Sequence, residues 1–132
     1  MKSDTAQRHL LVFEPDANLP LVKASKDHLE SVWLNLITNS IDAIKNGNRE
    51  ISITTSRNKK EVLVMIADSG EGIPPESINR IFEPFYTTKS AGYGTGLGLS
   101  VTHRIIQQHD GRILVDSQLN RGTQFTVCLP IS

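Results

Sequence analysis

The sequence holds one cysteine, Cys128, in 132 residues. A lone thiol closes no internal disulfide. Its place in a strand-like run reads as a buried, reduced thiol of a reducing compartment. No apolar run approaches the ~20 residues that span a bilayer, and the N-terminus lacks the basic-then-apolar order of a signal peptide. A cytoplasmic location is therefore expected, with no direct membrane contact by this chain. Charge of either sign is not in surplus, since 14 Lys and Arg balance 14 Asp and Glu. That balance removes the basic field expected of a nucleic-acid binder. No internal repeat and no low-complexity tract stands out. What is present is a globular balance, 38% hydrophobic and 21% charged. The length suits one domain over 1–132 with a real core, and residues 1–7 are expected to form a flexible N-terminal segment.

Hydrophobic spacing divides the chain. "HLLVFEP" (9–15) reads as a strand closed by a proline. Ser25 is placed to cap a helix over 26–45, whose apolar positions Leu29, Val32, Trp33, Leu36, Ile37, Ile41 and Ile44 follow a 3.6-residue period. Asn46-Gly47 supplies its stop. "REISITTSR" (49–57) and "KEVLVMIAD" (60–68) read as two strands joined by a polar turn. The second is apolar on both faces, which predicts a central strand covered on both sides. A short helix is expected over 75–81. From 83 to 98 neither period holds, and irregular segments of that length are often lids or binding loops. A helix over 99–109 and two antiparallel strands, 112–117 and 122–130, complete an α+β order, with helices layered on one side of a mostly antiparallel sheet.

Three polar features do not fit a plain core. Asn35 and Asn39 stand at i and i+4 of the long helix with Asp42 three further on, so all three share a face. They make either a solvated face or an oxygen-ligating one, an amide carbonyl being a hard donor suited to Mg²⁺. "DSGEG" (68–72) sets Asp68 at a strand end before two glycines, either a plain turn or a carboxylate held for a ligand amine. "GYGTGLGLS" (92–100) holds Gly92, Gly94, Gly96 and Gly98. It matches neither the P-loop, since no lysine follows Gly98, nor the spacing of the dinucleotide fingerprint. It is either a mobile linker or a backbone that closes on an anion at a helix start.

Taken in order, these stretches resemble the nucleotide-binding catalytic domain of sensor histidine kinases, within the superfamily that also holds gyrase, heat-shock-chaperone and mismatch-repair ATPases. "NLITNSIDAI" (35–44) resembles the family's N box, "DSGEGIP" (68–74) its first glycine box, "IFEPFYTTK" (81–89) its F box, "GTGLGLS" (94–100) its second glycine box, and "RGTQFTVCLP" (121–130) its closing strand. The resemblance covers 8–131, and five boxes in order are far more specific than any one motif. It implies the Bergerat ATP-binding fold, a two-layer α/β sandwich. Its mixed, mostly antiparallel sheet would have about five strands, covered on one face by about three helices.

The resemblance also implies roles. ATP and Mg²⁺ are the expected ligands. Asn39 would coordinate Mg²⁺, with Asn35 supporting it from the same face. Asp68 would bind the adenine amino group, Gly72 would let the base lie close, and Ala43, Gly70 and Ile73 would line the pocket. Phe82 and Phe85 would anchor a lid over 83–97, carrying Thr87, Thr88 and Lys89 to the phosphates. Gly94, Thr95, Gly96, Leu97, Gly98 and Leu99 would wrap the phosphates at the helix start, and Thr123 would sit at the pocket floor. Where many relatives carry a basic and then an aromatic residue, this chain has Asp42 and Ala43. Lys89, ahead of Lys45, is therefore the expected source of phosphate neutralisation. Ser40 stands where alanine is usual, a minor departure.

Asn35 also replaces the glutamate that activates water in the gyrase and chaperone relatives. An amide is no general base, so transfer to a histidine that supplies its own nucleophile is favoured over direct hydrolysis. Catalysis would rest on Asn35, Asn39 and Lys89. The acceptor histidine is expected on a separate dimerisation domain of a parent kinase, with a response regulator downstream. His9, in a strand-like run, is not expected to be that acceptor, and His28, His103 and His109 read as ordinary boundary or surface histidines. This chain would then be an excised catalytic domain, and the parent's relation to a membrane stays open. An ATP-driven switch of the gyrase class and a non-enzymatic nucleotide-sensing module remain as alternatives.

Overall fold

The structure is a computed structural model that describes residues 10–14, 24–44, 50–84, 86 and 98–131. Strand β1 (Leu10–Glu14) precedes helix α1 (Lys26–Ala43). Ser25 caps α1 as expected. Its backbone is extended (φ −80°, ψ 118°) and its hydroxyl accepts the His28 amide at 3.4 Å. Asp27 in the first turn adds a charge that suits the positive helix end. The helix buries Val32, Leu36 and Ser40, a stripe at i, i+4 and i+8.

Helix α1 stops two residues earlier than its apolar period predicts. Ile44 leaves helical geometry (ψ 74°) while its N–H still reaches the Ser40 carbonyl at 3.2 Å. The Ala43 carbonyl meanwhile accepts the amide of Glu71 at 3.1 Å, so a loop from across the fold replaces the next turn. The expected stop, Asn46-Gly47, lies outside the described residues. Ile41, a position of the predicted apolar period, is 46% exposed, and Leu34 is 66% exposed. The two lie at i and i+7 on the far side of α1.

The other strands are β2 (Glu50–Arg57), β3 (Glu61–Asp68), β4 (Arg112–Gln118) and β5 (Gly122–Pro130), and α2 (Gly98–Gln108) packs beside α1. The five-stranded sheet runs β1-β2-β3-β5-β4. Among the described residues β1 and β2 pair in parallel and the other three ladders are antiparallel. The expected class, α+β with a mostly antiparallel mixed sheet, is the one observed. Between 75 and 81, however, the chain forms a 3-10 turn (Ile78–Arg80) rather than a third α-helix. Bonds from Ser77 to Pro74, Arg80 to Ser77 and Glu83 to Arg80 repeat at three-residue spacing. Seven residues are too few to nucleate an α-helix on their own.

β3 is central, and register explains the core. Val62 faces Leu129, Val64 faces Val127, Ile66 faces Phe125 and Asp68 faces Thr123. One side of each strand therefore meets Val32 and Leu36 of α1 and Ile105 and Ile106 of α2 in a single cluster. The other face corrects the expectation of cover on both sides. Leu63, Met65 and Ala67 there are only half-buried. Cys128 on that face is nonetheless fully buried. Arg112 on β4 reaches across β5 to Glu61 on β3, at 3.1 Å, in the same outward row. Burial pushes the Cys128 thiol pKa up, as expected for a reduced, unreactive cysteine.

Candidate functional site

Asp68 ends β3 at 8% exposure. Burial raises its carboxyl pKa. The Gly70 N–H, which donates to Oδ1 at 2.9 Å, the Ser40 hydroxyl and the Thr123 backbone pull it back only in part. The result is an ionisable group kept at the edge of the core and poised to gain from one more donor.

The loop after Asp68 is clamped on two sides. A Cβ at Gly70 would strike the Ala43 carbonyl, and one at Gly72 (φ +76°) would strike the Gln118 carbonyl. The Ile73 N–H donates to Ser117 Oγ at 2.8 Å. That hydroxyl in turn donates to the Gly122 carbonyl at 3.1 Å and meets Thr123 Oγ1 at 2.8 Å. The Asn120 N–H closes the clamp on the Glu71 carbonyl at 2.8 Å. The space freed by the missing side chains of Gly70 and Gly72 is thus filled by protein backbone. Sequence reasoning passed over Ser117. Its signal was available, because β4 alternates Ile113, Val115, Ser117 inward, and a hydroxyl closes an otherwise apolar row.

At the other end, Asn35 Nδ2 donates to the Gly98 carbonyl at 3.3 Å and to Thr102 Oγ1 at 3.2 Å. Asn35 therefore pegs the first turn of α2 to α1. Asn35, Asn39 and Ala43 follow one another at four-residue spacing on a single face of α1. One end of that strip holds the start of α2 and the other holds the Asp68 loop. Eight residues of helix separate the ends by about 12 Å. Asn39 is half-buried between them.

Ser40, the next residue, proves less minor than its sequence position implied. It is 1% exposed. Its hydroxyl lies near enough to Asp68 to favour the charged carboxylate, yet Oγ completes no hydrogen bond among the described residues.

Thr123, 7% exposed, pairs with Asp68 in the sheet, and Ile73 and Leu99 pack against the core. Phe82 stacks on His103 (centroids 5.1 Å apart) and meets Phe125 edge-on. The Ser25 N–H donates to His109 Nε2 at 3.1 Å, whose ring meets His28 edge-on at 6.2 Å. Phe85, Thr87, Thr88, Lys89, Gly94, Thr95, Gly96 and Leu97, together with Lys45 and His9, lie outside the described residues. No described helix is long and apolar enough to cross a membrane.

Residues 24–132 match the family model described as histidine kinase-, DNA gyrase B-, and HSP90-like ATPase. Sensor histidine kinase ZraS of Escherichia coli (strain K12) is 43% identical over 122 residues, 92% of this chain and 26% of the relative. Sporulation kinase D of Bacillus subtilis (strain 168) is 39% identical over 112 residues, 85% of this chain and 22% of the relative. The chain thus spans about a quarter of the length of these curated relatives. Among solved structures, the nucleotide-free catalytic domain of histidine kinase ThkA superposes with a TM-score of 0.81 at 36% identity, covering 94% of this chain and 81% of that one. Full-length ShkA in complex with AMPPNP superposes with a TM-score of 0.83 at 27% identity, covering 96% of this chain and 26% of that one.

Proposed function

The chain belongs to the histidine kinase-, DNA gyrase B- and HSP90-like ATPase family, and on that premise we propose that it binds Mg-ATP and donates the γ-phosphoryl group to a histidine on a separate dimerisation domain of a parent sensor kinase. The observation that carries this reading is the α1 strip of Asn35, Asn39 and Ala43, which joins a buried carboxylate to the start of a helix. Asp68 takes the adenine amino group at one end, with Gly70, Gly72, Ile73 and Thr123 around it. The positive dipole end of α2 favours phosphate at the other. Gly94, Thr95, Gly96, Leu97, Gly98 and Leu99 wrap the phosphates, and Thr87, Thr88 and Lys89 approach them on a lid anchored by Phe82 and Phe85.

Among the described residues no group of three or more His, Cys, Asp or Glu could hold a metal. That donor set fits an ion bound mainly by phosphate and water, as Mg²⁺ commonly is in nucleotide sites, with the Asn39 amide oxygen as the protein ligand. Mg²⁺ supplies charge neutralisation at the phosphates when bound. Asn35 supports transfer over hydrolysis. Its nitrogen acts as a donor to the Gly98 carbonyl and Thr102, a role a carboxylate base cannot fill. The acceptor imidazole attacks the γ-phosphorus, a P–N bond forms, and ADP leaves with the broken P–O bond. The chain works as one ATP-binding unit on the cytoplasmic side, and the phosphoryl group passes on to a response regulator.

Labelled ATP, Mg²⁺ and an added helical histidine domain test this reading. Label should appear on the histidine domain and hydrolysis should be slow. Fast hydrolysis with no transfer to a cognate acceptor would defeat the kinase assignment. Asp68→Asn should weaken ATP binding by about 10- to 100-fold, the worth of a hydrogen bond to a charged group. An unchanged dissociation constant removes the adenine role.

A further inference from the structure

We propose that strand β4 is a self-association edge: it pairs antiparallel with β4 of a second copy of this chain, about a two-fold axis at Leu114, and joins two five-stranded sheets into one. The inference goes beyond the nucleotide reading above and does not depend on it.

β4 ends the sheet, and among the described residues no strand pairs with its outer side. A free edge offers backbone donors and acceptors to any other strand. Proteins blunt such edges with bulges, prolines, lysines or shortness. β4 carries none of these. Arg112–Gln118 contains no proline, glycine or lysine and pairs with β5 in unbroken register. The opposite edge strand, β1, has five residues and runs into Pro15. Leu114, in the middle of β4, is 47% exposed.

Two charges remain on the outward face of this edge, Arg112 and Asp116, placed symmetrically about Leu114. They repel most strands, but they complement their own copy in antiparallel pairing. With the axis at Leu114, each Arg112 stands opposite the partner's Asp116, and the two leucines meet between the charge pairs. Arg112 turns Nε and Nη2 to Glu61, which leaves Nη1 for the partner. Asp116 is exposed and makes no ion pair among the described residues.

On the helix-covered face, Ile113 meets the partner's Val115. Both are half-buried, and they end the rows Val64–Val127–Ile113 and Ile66–Phe125–Val115. Pairing carries those rows into the second core. An axis at Val115 would instead set Leu114 against aspartate and Arg112 against glutamine, so the side chains select one register. The contact is isologous and closes at two copies.

Sedimentation of the wild-type chain should show a monomer–dimer equilibrium that salt weakens. Asp116→Arg and Arg112→Asp each create two like-charge pairs per dimer, and each alone should weaken self-association about tenfold or more. An equimolar mixture of the two variants should dimerise as wild type does, because every pair is then opposite in charge. A structural defect in either variant would not be repaired by mixing. Independently, Leu114→Cys should form a covalent dimer under mild oxidation, since its copy lies within about 5 Å across the axis. Asp116→Cys and Leu119→Cys, equally exposed but off the axis, should cross-link far more slowly, and wild type should not, its Cys128 being fully buried. A wild-type chain that stays monomeric at millimolar concentration overturns the proposal. So does a mixture no more dimeric than its components, or cross-linking as fast at 116 or 119 as at 114.

Discussion

Strand β3 carries a carboxylate at each end, and the two are treated in opposite ways. Glu61 is answered from within the protein. Arg112 reaches it across β5, Asn58 Nδ2 donates to it at 3.3 Å, and these partners hold its pKa below the ordinary glutamate value. The adjoining turn is closed by a side chain, as Asn58 Oδ1 accepts the amides of Lys60 and Glu61 at 2.9 and 2.8 Å. Asp68 is drawn out of water instead, and its pKa rises. Its loop is closed by glycines pressed against backbone, and the buried Ser40 hydroxyl beside it favours its charged form. The first end is complete as it stands. The second is clamped by backbone around a buried carboxylate whose pKa is raised, the pattern expected of a binding site rather than of a structural contact.

The largest way to break this contrast lies in the clamp around Asp68. Gly122 has φ +129°, and a Cβ there would strike the Asp68 carbonyl, backbone against backbone. Gly122→Ala should therefore cost on the order of 3 kcal/mol, strain and overpacking together, in denaturant unfolding. ATP affinity should fall with it. A loss under about 0.5 kcal/mol would show that the hairpin yields freely and that the Asp68 end is not rigid.

A smaller effect sharpens the comparison directly. In model peptides aspartate titrates below glutamate. Here that gap should narrow, Asp68 being shifted up and Glu61 down, when carboxyl carbons are followed by NMR against pH. The linkage signs are opposite too. Depressed in the fold, Glu61 adds stability above its unfolded pKa, and that stability is lost as pH falls through its folded pKa. Raised in the fold, Asp68 contributes most favourably below its unfolded pKa, and this is eroded as pH rises through its folded pKa. Adding ATP should lower the Asp68 midpoint, because an amine donor favours the charged form. A midpoint that ATP leaves in place would count against contact with the base.

Much of this was legible in the sequence because the signals are local. The 3.6-residue stripe of α1, the Ser25 cap and the alternation of β3 and β5 each depend on neighbours within a turn or a pleat. The contacts that build the site are not local. Asn35 meets partners 63 and 67 residues away, and Gly72 is required by a carbonyl on the β4–β5 hairpin. The Gly-rich loop could be read for backbone freedom but not for what fills the space. Ser40 reads as a small variation in the sequence because a hydroxyl reveals its role only once its burial and its place beside Asp68 are known. The helix expected over 75–81 failed for a different reason. Its pattern was too short to override the tight turns that carry Ile81 into the core and let the Tyr86 hydroxyl donate to Ser77 Oγ at 2.7 Å.

The smallest effect belongs to the finished end. Glu61→Gln keeps the shape and an oxygen acceptor but removes the charge. Arg112 is more than half exposed, so water and salt already screen the pair. The melting temperature at neutral pH should fall by no more than about 2 °C. The difference should shrink as pH falls through the folded Glu61 pKa, where wild type loses the same charge, and ATP affinity should not change. A large stability loss at neutral pH would mean that the ion pair carries the open face of the sheet and keeps Cys128 covered. A change in ATP affinity would mean that strain at one end of β3 reaches the other, some seven residues along a strand that rises about 3.4 Å per residue. Either result would end the separation between a self-sufficient carboxylate and one kept for a ligand.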